Sequence, residues 1–435
     1  REIAPTEFVG YGTMAGEGAV LALMIEGDAA SEVRAGQAVG IALDRTPFYA
    51  QGGGQVGDTG SLIGPTGRAR VNDTQRPVPG LIIHIAVVEE GTLAIGDPVR
   101  AEVDEARRRD IERNHTATHL LHRLAREVLG EHAAQAGSLV APDRLRFDFT
   151  HGRAVKDDQL REIEHGVNEW IRADTPVNWR ITAYQDALDQ GAMALFGEKY
   201  GDQVRVVTAG CDQAAFCSRE LCGGTHVART GEIGLFHILQ ETSSAGGIRR
   251  IEAVTGRGAE EWALGQAAMV HEAADRLGTP PTRLLERIDG LLAELRRSSR
   301  QIEHLRSQSV QGTREALLEQ VRTLGDVRFL AARVEAADGK SLDDLGDWLR
   351  DKLGSAVLVL GAVIAEKPHL LAVVTPDLTP RGYHAGNLVK RLAPLIGGGG
   401  GGRPDRASAG GRSAERLDEA LAQVEPILAE PRPAG

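Results

Sequence analysis

Short apolar runs, separated by clusters of glycine, proline and aspartate, open the chain. Residues 19–25, 40–43 and 81–88 are three such runs, so residues 1–100 are expected to be β-structure, a small barrel or sandwich. Beyond residue 100 the period changes. Between Asn114 and Leu129 the apolar positions are Ala117, Leu120, Leu121, Leu124, Ala125 and Val128, one stripe at helical spacing. Asn114 suits the N-cap of that helix, which would put His115 in its first turn. Residues 145–149 alternate as a strand, 156–173 read as a charge-rich helix, and 204–207 and 248–254 are strand candidates. Residues 257–325 read as helical, with one helix ending near Gly278 and the Pro280–Pro281 pair. The next helix carries Leu284, Ile288, Leu291, Leu295, Ser298, Ile302 and Leu305 at alternating spacings of four and three, a coiled-coil seam. About 30 residues of such helix span roughly 45 Å, a spacer or dimerisation rod; a plain helical linker fits the same pattern. Buried-strand runs at 327–334, 356–360 and 370–374, with helical stretches between or after them, indicate an α/β unit. The expected fold class is multidomain α+β. It comprises a small β-barrel (1–100), an α+β core (101–256), a helical or coiled-coil arm (257–325) and a C-terminal α/β domain (326–435).

Composition excludes little. A hydrophobic content of 42% and a charged content of 26% are ordinary globular values, and no apolar run approaches the roughly 20 residues that span a bilayer. The chain starts at Arg1 rather than Met and is read as a piece of a longer product; no signal peptide is visible, although a missing N-terminus could hide one. Three cysteines in 435 residues offer no disulfide framework and suit a reducing cytosol. A formal net charge of −11 does not advertise a polyanion partner, yet it leaves room for a local arginine groove.

The chemistry concentrates in two motifs, His115-Thr-Ala-Thr-His119 and Cys222-Gly-Gly-Thr-His226. Histidines four apart on a helix point the same way, and the Cys-x3-His pair adds two more ligands of zinc-binding type. His115 and His119 lie off the apolar stripe, so they are either ligands or solvated surface residues; His122 shares their face and is a rival ligand. Imidazole and thiolate favour zinc over calcium or magnesium. A His3Cys set is formally a closed, structural shell, and catalysis would require zinc to expand its coordination or release a ligand. A metalloprotease is excluded, because the position that needs a glutamate base is Thr116.

Two glycine runs remain. Gly52–Gly54 allow either a tight hairpin turn or close approach by another group, and Gln51, Gln55 and Asp58 add polar groups that a plain turn does not need. Gly397–Gly402, followed by Arg403, Arg406 and Arg412, read as a loop between helices whose N–H groups could meet phosphates, or as a flexible linker. No Gly-Lys-Ser/Thr follows, so it is not a P-loop.

The run Arg45 to Gly60, Asn114-His-Thr-Ala-Thr-His-Leu-Leu121, Cys222-Gly-Gly-Thr-His226 and the run Gly397 to Asp405 stand in the order found in the alanyl-tRNA synthetase family, which essentially the whole chain resembles. The resemblance is to the part after the aminoacylation and tRNA-recognition domains: an editing domain with its β-barrel, a helical connector and a C-terminal tRNA-binding domain. Free-standing alanyl-tRNA editing proteins share the first two-thirds. No segment reads as the class II aminoacylation core, so that domain is expected to be missing or separate. The resemblance implies a cytoplasmic aminoacyl-tRNA deacylase acting on Ser-tRNA(Ala) and Gly-tRNA(Ala), binding tRNA(Ala), with zinc on His115, His119, Cys222 and His226. It implies that Thr118 stands beside the metal and reads the serine hydroxyl, that Gln135 lies near the pocket mouth, and that Gly52, Gly53 and Gly54 wall the aminoacyl group. The C-terminal domain resembles the tail of DHH phosphoesterases. There the resemblance implies tRNA contact at Gly399, Gly400, Gly401, Gly402, Arg403 and Arg406, and a homodimer through this domain and the arm. None of these residues is a strong general base, so a positioned water with backbone donors is expected. A synthetic site cannot strongly reject serine, which only adds a hydroxyl to alanine, and the smaller glycine fits. A non-catalytic tRNA-binding protein with structural zinc is the other reading. A metal phosphoesterase is disfavoured by the absence of an Asp-His-His carboxylate cluster.

Overall fold

The computed structural model describes residues 4–194, 200–211 and 216–431, apart from the side chains of 306–310. It divides into two compact units, Arg1–Pro281 and Thr282–Gly435. The division falls inside the stretch 257–325 that the pattern joined into one arm, so its first helix belongs to one unit and its second to the other.

The first unit begins with a closed antiparallel barrel rather than a sandwich. Its six barrel-closing strands are β1 (Ala15–Ile25), β2 (Ala38–Leu43), β3 (Gly60–Ile63), β4 (Gly67–Val78), β5 (Leu81–Ala94) and β6 (Pro98–Val103), with the short strands Asp28–Ala30 and Glu32–Arg34 paired at their margins. The order β6–β3–β4–β5–β2–β1 returns to β6 through pairs such as Pro98–Ala19 and Ala101–Gly16. Alternating positions supply the core: Val20, Leu23, Ile41, Leu43, Leu62, Val71 and Leu93 are all but fully buried. His84 is buried with them, its Nε2 2.8 Å from the Thr46 hydroxyl and its Nδ1 2.9 Å from the Ile41 carbonyl. Burial lowers its pKa to about 4.

Helix α1 (Glu105–Leu129) starts earlier than expected. Asp104 is the N-cap, its carboxylate accepting from the Arg107 amide at 3.1 Å. Asn114 is therefore not a cap. It lies within the helix, where its amide donates to the Ala141 carbonyl at 2.8 Å and its oxygen accepts from the Thr255 hydroxyl at 2.7 Å. Burial surrounds α1 on every side from Ile111 to Ala125, with Arg123 and Arg113 as partial exceptions. Leu120 and Leu121 face a core with Phe147, Phe149 and Ile251, while the opposite face buries His115 and His119 at 4% and 8% exposure. The solvated-histidine reading is thereby excluded. The helix is fastened to the barrel by Arg108, which has no exposure. Its guanidinium donates to Asp58 (2.9 Å), to the Gly10 carbonyl (3.0 Å) and to the Pro47 carbonyl (2.9 Å).

Two small sheets complete this unit. β7 (Gln135–Val140), β8 (Leu145–Thr150), β12 (Phe236–Ala245) and β13 (Ile248–Thr255) form an antiparallel sheet in the order β7–β8–β13–β12, against which α1 and α2 (Asp157–Arg172) pack. β9 (Val177–Ala183), β10 (Gln203–Ala209) and β11 (Ser218–Leu221) form the other, and Cys222 follows directly on β11. The absence of disulfides is corrected here. Ala209 and Ser218 are register partners, so Cys211 and Cys217 emerge side by side, Cα atoms 4.1 Å apart, and are bonded. Helix α3 (Gly256–Arg276) closes the unit.

The second unit starts with α4 (Leu284–Glu319), the helix of the predicted seam, on which Leu295, Ile302 and Leu305 are exposed. Its sheet has the order β14–β15–β16–β17–β19–β18: Arg322–Leu324, Val327–Arg333, Val357–Ile364, Lys367–Val374, Arg406–Gly410 and Gly399–Gly402. Only β15 and β16 are parallel. Val357 and Val359 face one core with α6 (Ala385–Leu392), and Leu358 and Leu360 face another with α5 (Gly339–Leu353). That two-sided burial is why the strand reads as an unbroken apolar run. The glycine run is not a loop: Gly399–Gly402 is the edge strand β18, paired with β19. A Cβ on Gly400 would strike Ala409 and the Ser408 carbonyl, whereas one on Gly399 or Gly401 would meet nothing. Among the described residues, no helix is long and apolar enough to cross a membrane.

Candidate metal centre

Helix α1 and the loop after β11 bring four side chains together. His115, His119, Cys222 and His226 each offer a ligand atom, and these atoms lie within 4.8 Å of one another. Cys222 Sγ is 3.3 Å from both His115 Nε2 and His226 Nε2. His119 Nε2 is buried with no hydrogen-bond partner. An orphaned nitrogen facing a thiol and two imidazoles is what a zinc ligand set presents.

The tautomers are set by what each Nδ1 touches. His115 Nδ1 lies 2.7 Å from Gln55 Oε1, a carbonyl that can only accept. His119 Nδ1 lies 2.5 Å from the Glu220 carboxylate. His226 Nδ1 lies 3.1 Å from the Thr116 hydroxyl, whose own proton goes to the Glu112 carbonyl at 2.9 Å. All three Nδ1 atoms must donate, which leaves the three Nε2 atoms as the ring nitrogens that face inward and could ligate a metal. The rival His122 takes a different part. Its Nδ1 sits 3.0 Å from the other oxygen of Glu220, so it helps hold the carboxylate rather than joining the cluster.

The ionisable groups here are buried or half-buried together. Burial opposes ionisation of Cys222, but the surrounding imidazoles pull its thiol well below the usual range. Burial likewise works against a charged His119, but the Glu220 carboxylate and Cys222 outweigh it and raise its pKa to about 10. Burial also opposes a charged Glu220, yet His119 and His122 bring it down to about 2. A divalent cation would supply the positive charge that these groups otherwise draw from a proton.

Close packing of the loop explains its glycines. A Cβ on Gly224 would collide with the His115 ring and come within 2.8 Å of Gln55 Oε1. Gln55 also accepts from the Thr225 amide (3.0 Å) and donates to the Thr225 hydroxyl (3.0 Å), so the barrel reaches over and holds the loop.

A cavity of about 220 Å³ opens beside the cluster, lined by His115, His119 and Cys222 together with Thr118, Gln135, Ser138, Tyr49, Gly52 and Gly53. Thr118, Gln135, Gly52 and Gly53 thus meet at one place. The Thr118 hydroxyl donates to the Asn114 carbonyl at 2.8 Å, and Gln135 donates to Ser138 at 3.2 Å. Gly54 stands apart: with φ +83° it packs on Ser138, and its carbonyl accepts from the Val140 amide at 2.8 Å. The turn reading also holds, since Gly52 and Gln55 exchange both backbone hydrogen bonds. In the second unit Arg403 is exposed, but Arg406 is held by Asp347 (2.9 Å) and Asp343 (3.2 Å).

Sequence reading missed Glu220, and it saw Thr116 only as the residue that excludes a metalloprotease. A charged residue in a short strand next to a ligand cysteine was the available signal for Glu220.

Family models match three stretches. One described as "tRNA synthetases class II (A)" covers residues 1–107, one described as "Threonyl and Alanyl tRNA synthetase second additional domain" covers 204–252, and one described as "DHHA1 domain" covers 326–430. The first falls on the barrel strands, where no class II segment had been read from the sequence. These matches define an aminoacyl-tRNA synthetase type of protein. The alanine–tRNA ligase of Roseiflexus castenholzii is 58% identical over 445 residues, 98% of this chain and 49% of that protein. That of Chloroflexus aurantiacus is 54% identical over 435 residues, again 98% and 49%. The chain belongs to the alanyl-tRNA synthetase family. It spans about half the length of the curated relatives it matches. Among solved structures it is similar to the C-Ala domain of Aquifex aeolicus alanyl-tRNA synthetase, at 24% identity and a TM-score of 0.24. That match covers 25% of this chain and 98% of that one, and the score is too low to bear on the fold.

Proposed function

We propose that this chain hydrolyses the ester of Ser-tRNA(Ala) and Gly-tRNA(Ala), with zinc held by His115, His119, Cys222 and His226. The observation that carries this is a complete His3Cys cluster forming one wall of a cavity whose other walls are Thr118, Gln135 and the Gly52–Gly53 turn. Bound zinc would supply a positive charge for the substrate's polar groups. The protein's own residues do the selecting. The Thr118 proton is committed to Asn114, so its oxygen can only accept, and a seryl hydroxyl is the donor that suits it. An alanyl methyl would leave that oxygen buried without a partner. Glycine leaves room for a water there. About 220 Å³ accommodates a small aminoacyl group with room beside it, where a water can be positioned against the ester carbonyl. In the second unit the edge strand Gly399–Gly402 and the exposed Arg403 are the proposed tRNA(Ala) contacts, with Arg406 bracing the strand through Asp347. The exposed apolar seam of α4 suits a second copy of the chain.

Incubating the zinc-loaded chain with Ser-, Gly- and Ala-tRNA(Ala) tests the proposal. Fast release of serine and glycine with slow release of alanine is expected. Equal or absent hydrolysis would leave the non-catalytic RNA-binding reading, which the family matches do not favour.

A further inference from the structure

Tyr11 lines two cavities at once. One is the metal-facing cavity; the other, of about 470 Å³, also contains Trp179, Arg205, Arg109 and His226. We infer that this second cavity seats a nucleobase of the unpaired 3′ end of the aminoacylated RNA, stacked on the Trp179 indole; the inference rests on the deacylase reading above. An ester held at the small cavity is joined to a ribose, and the base of that nucleotide or the one before it must lie in a neighbouring space. The larger cavity is the neighbouring space that shares a wall with the small one.

Its surface has the chemistry of a base platform. Trp179 sits on the edge strand β9 and is 48% exposed, although nothing in the packing of a three-stranded sheet requires an indole in solvent. Its ring lies 5.4 Å from that of Tyr11, and the Arg205 guanidinium lies against both, 4.1 Å from the Tyr11 centroid and 4.9 Å from that of Trp179. Arg205 is itself fixed, donating to the carbonyls of Cys222 (2.9 Å) and Gly224 (2.8 Å). Tyr11 donates to the Gly223 carbonyl at 2.7 Å. The platform is therefore built onto the same loop that carries two of the four ligands. Aromatic rings backed by arginine bind single-stranded bases by stacking and their backbone by charge. Glu112 also lines this cavity, where Arg109 pairs with it at 3.0 Å and burial raises its carboxyl to about 7, so it opposes a phosphate less than an unpaired surface glutamate would.

The test is binding of the unacylated tetranucleotide ACCA, fluorescein-labelled, to the zinc-loaded chain, followed by anisotropy. Trp179→Ala should weaken binding by about 5- to 150-fold, while Trp179→Phe, which keeps a ring, should stay within a few-fold of the wild type. Quenching of tryptophan emission by unlabelled ACCA should disappear in Trp179→Phe. Unchanged affinity in Trp179→Ala, or no binding by the wild-type chain, overturns the stacking. The functional reading fails separately: a chain that binds ACCA through Trp179 yet leaves Ser-tRNA(Ala) intact would sink the deacylase and leave the base site standing.

Discussion

Gly223 and Gly224 are adjacent in the ligand loop, and neither has a left-handed φ, so alanine strains the backbone at neither. Their surroundings differ completely. A Cβ at Gly223 meets nothing within 4 Å, whereas one at Gly224 overlaps the His115 ring and stands 2.8 Å from Gln55 Oε1. Comfortable carbon contacts are about 3.5–4.0 Å, so in Gly224→Ala the imidazole must retreat by more than about 1 Å. Zinc–nitrogen distances tolerate only about 0.2 Å. Either His115 leaves the cluster or the loop lifts and takes Cys222 and His226 with it. Losing one outer partner of a zinc ligand typically costs about 10- to 100-fold in affinity. Displacing the ligand should cost at least the upper value, so Gly224→Ala should bind zinc about 100-fold or more weakly and lose Ser-tRNA(Ala) hydrolysis in parallel. Competition against a chromophoric chelator measures the first and serine release the second, with circular dichroism to confirm folding. Gly223→Ala should keep its zinc. If Gly224→Ala holds one zinc at wild-type affinity, the ligand geometry described above is wrong.

Thr118→Val keeps shape and removes the acceptor: Ser-tRNA(Ala) hydrolysis should fall about tenfold while Gly-tRNA(Ala) hydrolysis changes little, measured as the ratio of the two rates. His84 is held neutral by burial, its pKa lowered from 6.5 to about 4. Its contribution to stability is therefore complete above about pH 6.5 and lost as pH falls through 4, in total about 3 kcal/mol. Urea unfolding at pH 7, 5.5 and 4.5 should show a shallower acid loss in His84→Gln than in the wild type, and parallel slopes would refute the assignment. In the second unit Gly400→Ala should destabilise by about 1–3 kcal/mol by overpacking against Ala409, whereas Gly401→Ala should be neutral or slightly stabilising, a contrast read from urea midpoints.

The elements with strong periods were legible. The β character of residues 1–100, the core stripe of α1 and the buried strands of the second unit follow from apolar spacing. The clustering of His115, His119, Cys222 and His226 was legible too, because their motifs combine rare residue types at short spacing. Long-range identity was harder. Nothing local in Asn114 shows that the helix already began at Asp104, since a cap and a buried cross-link use the same amide. The glycine run read as a loop because strand propensity is scored on side chains, and here close backbone packing against β19 demands their absence. Gln55, Thr116 and Glu220 act by holding the Nδ1 atoms of the clustered histidines up to about a hundred residues away, which no spacing rule encodes.

Arg108 and Asp58 are sealed where α1 meets the barrel, each with essentially no exposure. Removing either alone strands an opposite charge in a buried site, at a typical cost of about 3–5 kcal/mol, whereas replacing both removes the charges and leaves only the backbone groups of Gly10, Pro47 and Tyr49 to find new partners. Drift at this junction is therefore a two-position event. Homologues should keep both residues or neither, and a mutational scan that changes one site at a time will score as rigid a seam that paired substitution could rewrite.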